Sequence, residues 1–427
     1  MERFLKRTTR AALGVALVAF LLAGCAGQET GQSASAPPAS ESATQTNGST
    51  VEKLLDGEHT LTSTVARAYM GTPAAETDSG FYECVGQGEH FLLCRIDYAA
   101  RTRTPLCGVE GCAHGDESCP AWRAGWRELA VAGDWLLEGG MEQDGTWSLD
   151  AQPLGGGERK NVLSGVQEYT SLIPMAEEEG SLWIAVEGKA ARVDPAAGTV
   201  EYGAALPEGF QPVGALGGCI LHRTSDGDAL LNEYYKATGD LTADEQQQQD
   251  ILNRATATLA AWDPRTGEDT PLAQWAAEEY DLALVWDGKL LRHGAGRSNF
   301  EVTDLATGGT TALGENWPAE QTIQTAYVRD GRLMVETVWK PEPDNSDTWK
   351  ECLFALDLQS GELTEITLRN HGGQGTALAR ILGENADNFY VVCSTAWEGK
   401  PESLMAMVSK ADYYAGVDSM EPIRDVF

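Results

Sequence analysis

Cys107, Cys112, His114 and Cys119 stand in the pattern Cys-x4-Cys-x-His-x4-Cys. Three thiols and one imidazole so close together are a complete donor set for a tetrahedral Zn2+ ion. The spacing is not that of the common knuckle, in which two Cys lie two residues apart. A disulfide between two of these Cys is the competing chemistry, and it suits an exported chain, with free thiols as the remaining alternative. Either one would be structural, stapling a long connection, because four protein ligands leave a metal no open position for catalysis. Cys84 and Cys94 flank one hairpin and are a second candidate pair. Cys219, Cys352 and Cys393 read as small core residues.

Trp122, Trp126, Trp317, Trp339, Trp349 and Trp397 fall in or near inferred loops. As a set they suggest a face that stacks on sugar rings or grips a peptide, against the alternative that each simply packs between elements. The acidic stretch from Pro341 to Asp347 lacks the alternating spacing of a calcium loop and reads as a solvated hairpin tip. His371 with Gly372-Gly-Gln-Gly375 reads as a plain turn. The chain holds no Gly-x-Ser-x-Gly elbow, no His-Glu-x-x-His and no P-loop. Its six His are scattered, and none joins to a Ser or Asp by sequence. Carboxylates are too abundant for a hydrolytic pair to be picked out.

These residues need a scaffold, and its address comes first. Arg3, Lys6, Arg7 and Arg10 precede an uncharged apolar run from Ala11 to Ala23. That run is short of the roughly 20 residues that span a bilayer, so it reads as a cleavable signal over residues 1–24. Leu22-Ala23-Gly24-Cys25 has the form of a lipobox, with Cys25 as the lipid attachment site. Residues 25–50, rich in Ser, Ala, Thr, Gln and Gly, bury too little apolar surface to order and read as a tether. The expected location is the extracytoplasmic face of the cell membrane, with the lipid on Cys25 as the contact to the bilayer.

Charge narrows the partners. The 427 residues carry a formal charge of −33, and residues 1–24 hold four basic side chains and one acid, so the exported part is near −36. Such a surface repels nucleic acid and anionic headgroups.

Residues 51–427 carry a repeat. Gly- or Asp-Gly-type turns precede short apolar strands that begin at Phe91, Trp135, Leu182, Ile220, Leu290, Leu333 and Phe389. Apart from one gap of 70 residues, the steps between them are 38 to 56 residues, near the roughly 40–50-residue period of propeller blades. An Asp-x-x-x-Gly turn keeps phase at Asp194–Gly198, Asp263–Gly267, Asp304–Gly308 and Asp357–Gly361, with Asp97–Arg101 as a copy lacking the Gly. The Asp holds backbone N–H groups, the Gly supplies positive φ, and the turn joins the outer two strands of a blade. The long gap contains a capping box, Thr242-Ala-Asp-Glu245, so residues 226–255 read as a helical insertion and a candidate lid over one face. The expected fold is all-β: a β-propeller of seven blades, with six or eight as alternatives.

Lipobox, Ser-rich tether, blade repeats, the Cys/His loop and the closing segment from Val408 to Tyr414 together resemble a group of propeller lipoproteins from Gram-positive gut anaerobes. The resemblance covers the whole exported domain. It implies fold and location and carries no biochemical activity. The expected function is a non-catalytic module that binds a glycan, a peptide or a protein, at the pore or beneath the insertion. The rival is an extracellular enzyme acting on carbohydrate or peptide through carboxylates lining the pore, which a filled pore would disfavour. A third reading is a scaffold for envelope assembly.

Overall fold

A computed structural model describes residues 48–67, 75–167, 171–238, 245–280, 282–294, 296–342, 345, 348–369, 378–392 and 405–426. Residues 25–47 of the expected lipidated Cys and tether, the Thr242–Ala–Asp part of the capping box, the Gly372–Gly375 loop, Cys393 and Trp397 lie outside the described residues, while residues 48–50 of the expected tether are the start of a helix. No helix among the described residues is long and apolar enough to cross a membrane.

The strands form seven separate sheets, each a four-stranded antiparallel meander taken in chain order, some with an added strand. These are the seven blades. Their first strands begin at Glu76, Glu128, Pro174, Gln211, Leu282, Gln321 and Ile381. First strands of neighbouring blades touch one another, so they converge on the axis and the fourth strands form the rim. Apolar side chains on both sheet faces are what force this ring, since each sheet must be covered twice. The buried apolar residues accordingly fall into seven clusters, one for each seam. Leu137, Leu149, Leu182 and Ile184 join blades 2 and 3, for example, and Tyr327, Met334, Phe389 and Val391 join blades 6 and 7.

The turn chemistry behaves as the sequence predicts. At Asp304 the Gly308 N–H donates to the Asp304 carbonyl at 2.8 Å while Thr307 donates from N and Oγ1 to the carboxylate at 2.8 and 2.9 Å. Gly198, Gly267, Gly308 and Gly361 all take positive φ, and Arg101 takes the same conformation at φ +53° where the Gly is missing. All five turns join third and fourth strands. The Gly88 turn differs from the other six, because it links the second and third strands of its blade rather than the first and second. The spacing looked regular there while the register had slipped by one strand.

The Thr307 donors hold the Asp304 carboxyl below its usual value. A depressed folded-state pKa contributes stability above the unfolded value of about 3.9 and loses it as the pH falls through the folded value. Asp304→Asn keeps the acceptor and removes the titration. Its stability deficit at neutral pH is therefore expected to vanish in acid, as read from denaturation curves at pH 7 and below pH 3.

The closing contact is parallel. Arg424–Asp425 pairs with the rim strand Thr102–Pro105 of blade 1, and Arg103 grips the Asp425 carboxylate at 2.7 and 2.9 Å. The gap of 70 residues is a helical insertion between the second and third strands of blade 4. It contains two helices, Gly227–Thr238 and Glu245–Leu252, where the sequence suggested only the second.

A feature absent from the sequence reading is a strap before blade 1. Helix Gly48–Leu55 docks Val51, fully buried, against the cluster between blades 4 and 5. Gly217 is required at that point: it has φ +54°, and a Cβ there would meet the Leu54 carbonyl. The chain then enters the channel. Leu61 donates its N–H to the Gly217 carbonyl at 2.7 Å, and Thr62–Ser63 adds a strand to the axial edge of blade 3. The turn Val65–Arg67 touches the first strands of blades 3, 4, 5 and 6, with Ala66 buried beside Leu284, Ile323 and Val328.

Candidate functional site

In an antiparallel meander the first-to-second and third-to-fourth turns share one face of the disc. The second-to-third and inter-blade connections share the other. The strap helix docks on the first of these, at Gly217. Among the described residues the long connections lie on the second: the Cys loop, the blade 4 insertion and the stretch around Trp339 and Trp349.

On the strap side a cavity of about 700 Å³ opens at the channel mouth between blades 5, 6, 7 and 1. Arg67 and Trp286 line it together with Glu76, Arg329, Glu384 and Lys410. The carboxylates here are already engaged. Glu76 pairs with the fully buried Arg329 and accepts the Glu384 N–H at 3.2 Å. Glu384 receives Lys410 Nζ at 3.0 Å, Arg67 Nη2 at 3.1 Å and the Asp330 N–H at 3.1 Å. Burial disfavours the Lys410 charge, but its bonds to Asp330 and Glu384 outweigh that and raise its pKa. Charges paired this fully hold blades 6, 7 and 1 and the strap together. The segment from Val408 to Tyr414 serves this network. It is a strand end and a helix, Lys410–Ala415, N-capped by Ser409, that delivers Lys410 and Tyr414 to Asp330.

Sequence reading joined none of the six His to a Ser or Asp, yet His222 Nε2 lies 2.9 Å from Asp269 Oδ1 across 47 residues. The ring is buried and stacks on Phe210 at 5.0 Å, and no hydroxyl is hydrogen-bonded to it among the described residues. The pair joins a buried ring to an exposed carboxylate on the fourth strand of blade 4.

On the opposite face the aromatic set divides. Trp126 and Trp349 are exposed, at 57% and 41%. Trp122 and Trp339 are half-buried, Trp122 stacking on His90 at 6.2 Å and Trp339 facing the Lys350 ammonium at 4.9 Å. Trp317 does not belong to this face: it is buried among His293, Phe300 and Phe354 in the seam between blades 5 and 6.

The Cys loop connects blades 1 and 2, and it brings its four candidate ligands together. The ligand atoms of Cys107, Cys112, His114 and Cys119 all lie within 4.8 Å of one another, so the cluster can hold a metal ion. His114 Nδ1 is 3.2 Å from Cys119 Sγ. His114 sits at φ +54°, a left-handed conformation that a non-Gly residue adopts at a cost. The His114 N–H donates to the Cys112 sulfur at 3.4 Å and lowers its pKa, whereas burial pushes the Cys119 thiol up to about 11. The Cys84–Cys94 pairing fails on geometry. Cys84 lies opposite Leu93 in the hairpin and Cys94 opposite Glu83, so the two thiols are on opposite faces of the blade, and both are free.

No family model and no curated protein matches this chain. Solved structures do match it. The β-propeller domain of the Trilobed protease from Pyrococcus furiosus is similar at 11% identity and a TM-score of 0.43, over 81% of this chain and 98% of that one. A prolyl endopeptidase matches at 10% identity and a TM-score of 0.48, over 89% of this chain and 52% of that one. The acylaminoacyl peptidase of Pyrococcus horikoshii matches at 11% and 0.40, over 79% and 53%. At these identities the likeness speaks to the propeller fold alone.

Proposed function

We propose that the chain is a lipoprotein anchored through Cys25, whose propeller is a non-catalytic module binding a glycan, a peptide or another protein. The observation that carries this reading is the state of the channel. The chain's own strap occupies it, and the carboxylates at its mouth are paired with Arg67, Arg329 and Lys410. Catalytic propellers that hydrolyse bonds through carboxylates need them unpaired and converging on a substrate. The strap docks on one face of the disc, and the exposed Trp126 and Trp349 lie on the other, which is the candidate binding face. Within this reading the Cys3His cluster holds a structural Zn2+.

Two measurements test it. Cys25→Ser is expected to move the chain from the membrane fraction to the medium and to abolish incorporation of a labelled fatty acid. The purified chain, screened on glycan arrays and against glycan, ester and peptide substrates, is expected to bind without turnover. Turnover that Glu384→Gln abolishes would establish the enzyme instead.

A further inference from the structure

We infer that the Cys3His site is a Zn2+ lock on the seam between blades 1 and 2, acting through Arg123. This rests on reading the cluster as a Zn2+ site.

The donor chemistry favours that ion. Three thiolates and an imidazole are soft and borderline ligands with no oxygen among them, the set that selects Zn2+ over Ca2+ or Mg2+. With Zn–S near 2.3 Å and Zn–N near 2.0 Å, tetrahedral ligand atoms lie roughly 3.5–3.8 Å apart. The observed cluster, all within 4.8 Å, needs only a small contraction to reach it. A single disulfide would consume two thiols and leave the third beside His114 without a partner.

The loop has little else to hold it. Between Cys107 and Cys119 the backbone makes only local turns, Cys112 to Val109 at 3.3 Å and Cys119 to Asp116 at 3.1 Å. Yet the residues after Cys119 are placed exactly where the seam requires them. The Leu93 N–H donates to the Ala121 carbonyl at 2.8 Å, and Trp122–Arg123 pairs with Phe91 and Leu92 of blade 1. The Arg123 guanidinium then crosses into blade 2. It meets Glu138 at 2.5 and 2.8 Å and Gln152 at 3.2 Å, with Arg123 and Glu138 both essentially inaccessible to solvent. A buried pair of this kind is stable only while both partners stay in place. The apolar part of this seam is small, six buried residues against fourteen between blades 6 and 7, so the ion pair carries a large share of the contact. Three residues separate the last ligand, Cys119, from Arg123. Fixing the sulfur fixes the guanidinium.

The test uses the full chain purified in detergent with the metal it carries. One equivalent of zinc is expected, falling below one tenth in Cys112→Ser. Stripping the metal with a chelator is expected to speed hydrogen exchange about tenfold or more in residues 119–123 and 135–141, with little change in blades 4 and 5. Added Zn2+ should reverse this. The double variant Arg123→Met/Glu138→Leu is expected to keep its zinc while exchange over residues 135–141 no longer responds to chelation. Absence of zinc, or a disulfide among the three Cys found by mass spectrometry, would overturn the metal reading itself. Bound zinc whose removal leaves exchange in both segments unchanged would overturn the lock alone.

Discussion

Glu138→Leu is expected to cost about 3–5 kcal/mol, read from the midpoint of chemical unfolding, because it leaves the Arg123 guanidinium buried without its counter-charge. The cost comes from stranding a charge, not from the intrinsic worth of the pair. Glu138 lies on the second strand of blade 2 with no exposure, and Arg123 has no route to solvent without pulling Trp122–Arg123 off blade 1. The double variant Arg123→Met/Glu138→Leu, which replaces both ions by apolar groups of similar volume, is expected to recover most of the loss. A single variant no worse than about 1 kcal/mol would mean that water reaches the pair and that the seam is looser than its geometry.

Ala66→Glu is the second large effect, expected to cost about 3 kcal/mol by placing a carboxylate among Leu284, Ile323 and Val328. Its ceiling is informative. The strap can leave the channel rather than bury the charge, so the cost cannot exceed the free energy with which residues 61–67 are docked. Limited proteolysis separates the outcomes: cleavage between residues 56 and 67 in a chain whose blades stay folded shows release of the strap. If the variant is neither cleaved faster nor destabilised, the channel is wider than the side chains around Ala66 imply. Released straps also expose the axial edge of blade 3 that Thr62–Ser63 covers, so a gain in peptide binding by this variant would place the ligand in the channel.

The blades and their turns were legible because they are local. A strand of five to eight residues, a Gly at positive φ and an Asp that caps its own turn are decided by neighbours within a few positions, and they recur. Asp304 and Gly308 are an example, since every group that makes the turn lies within five residues. The Cys3His loop was legible for the same reason, with ligands spread over a short span, although spacing alone left metal and disulfide open. The helix Gly227–Thr238 was missed because its Leu and Tyr positions carry no cap comparable to the Thr242 box. The register of the Gly88 turn was missed because second and third strands have the same alternating chemistry as first and second.

Which groups meet at the axis was decided only by the ring. Arg67 and Glu384 are 317 residues apart, Arg329 and Glu76 are 253, and Val65 lies among strands from four blades. No local pattern marks such partners, because the chain pays for them in loop-closure entropy and recovers it only when seven sheets have closed. Sequence by itself carried the expectation of an exported address, and it determined the acidic composition, the blade and the four residues of the Cys3His loop. The tertiary structure decided that the chain's own strap enters the channel, that the carboxylates at its mouth are paired, and that Trp317 is core while Trp126 faces solvent. Those are matters of what is left uncovered once every blade has buried both its faces.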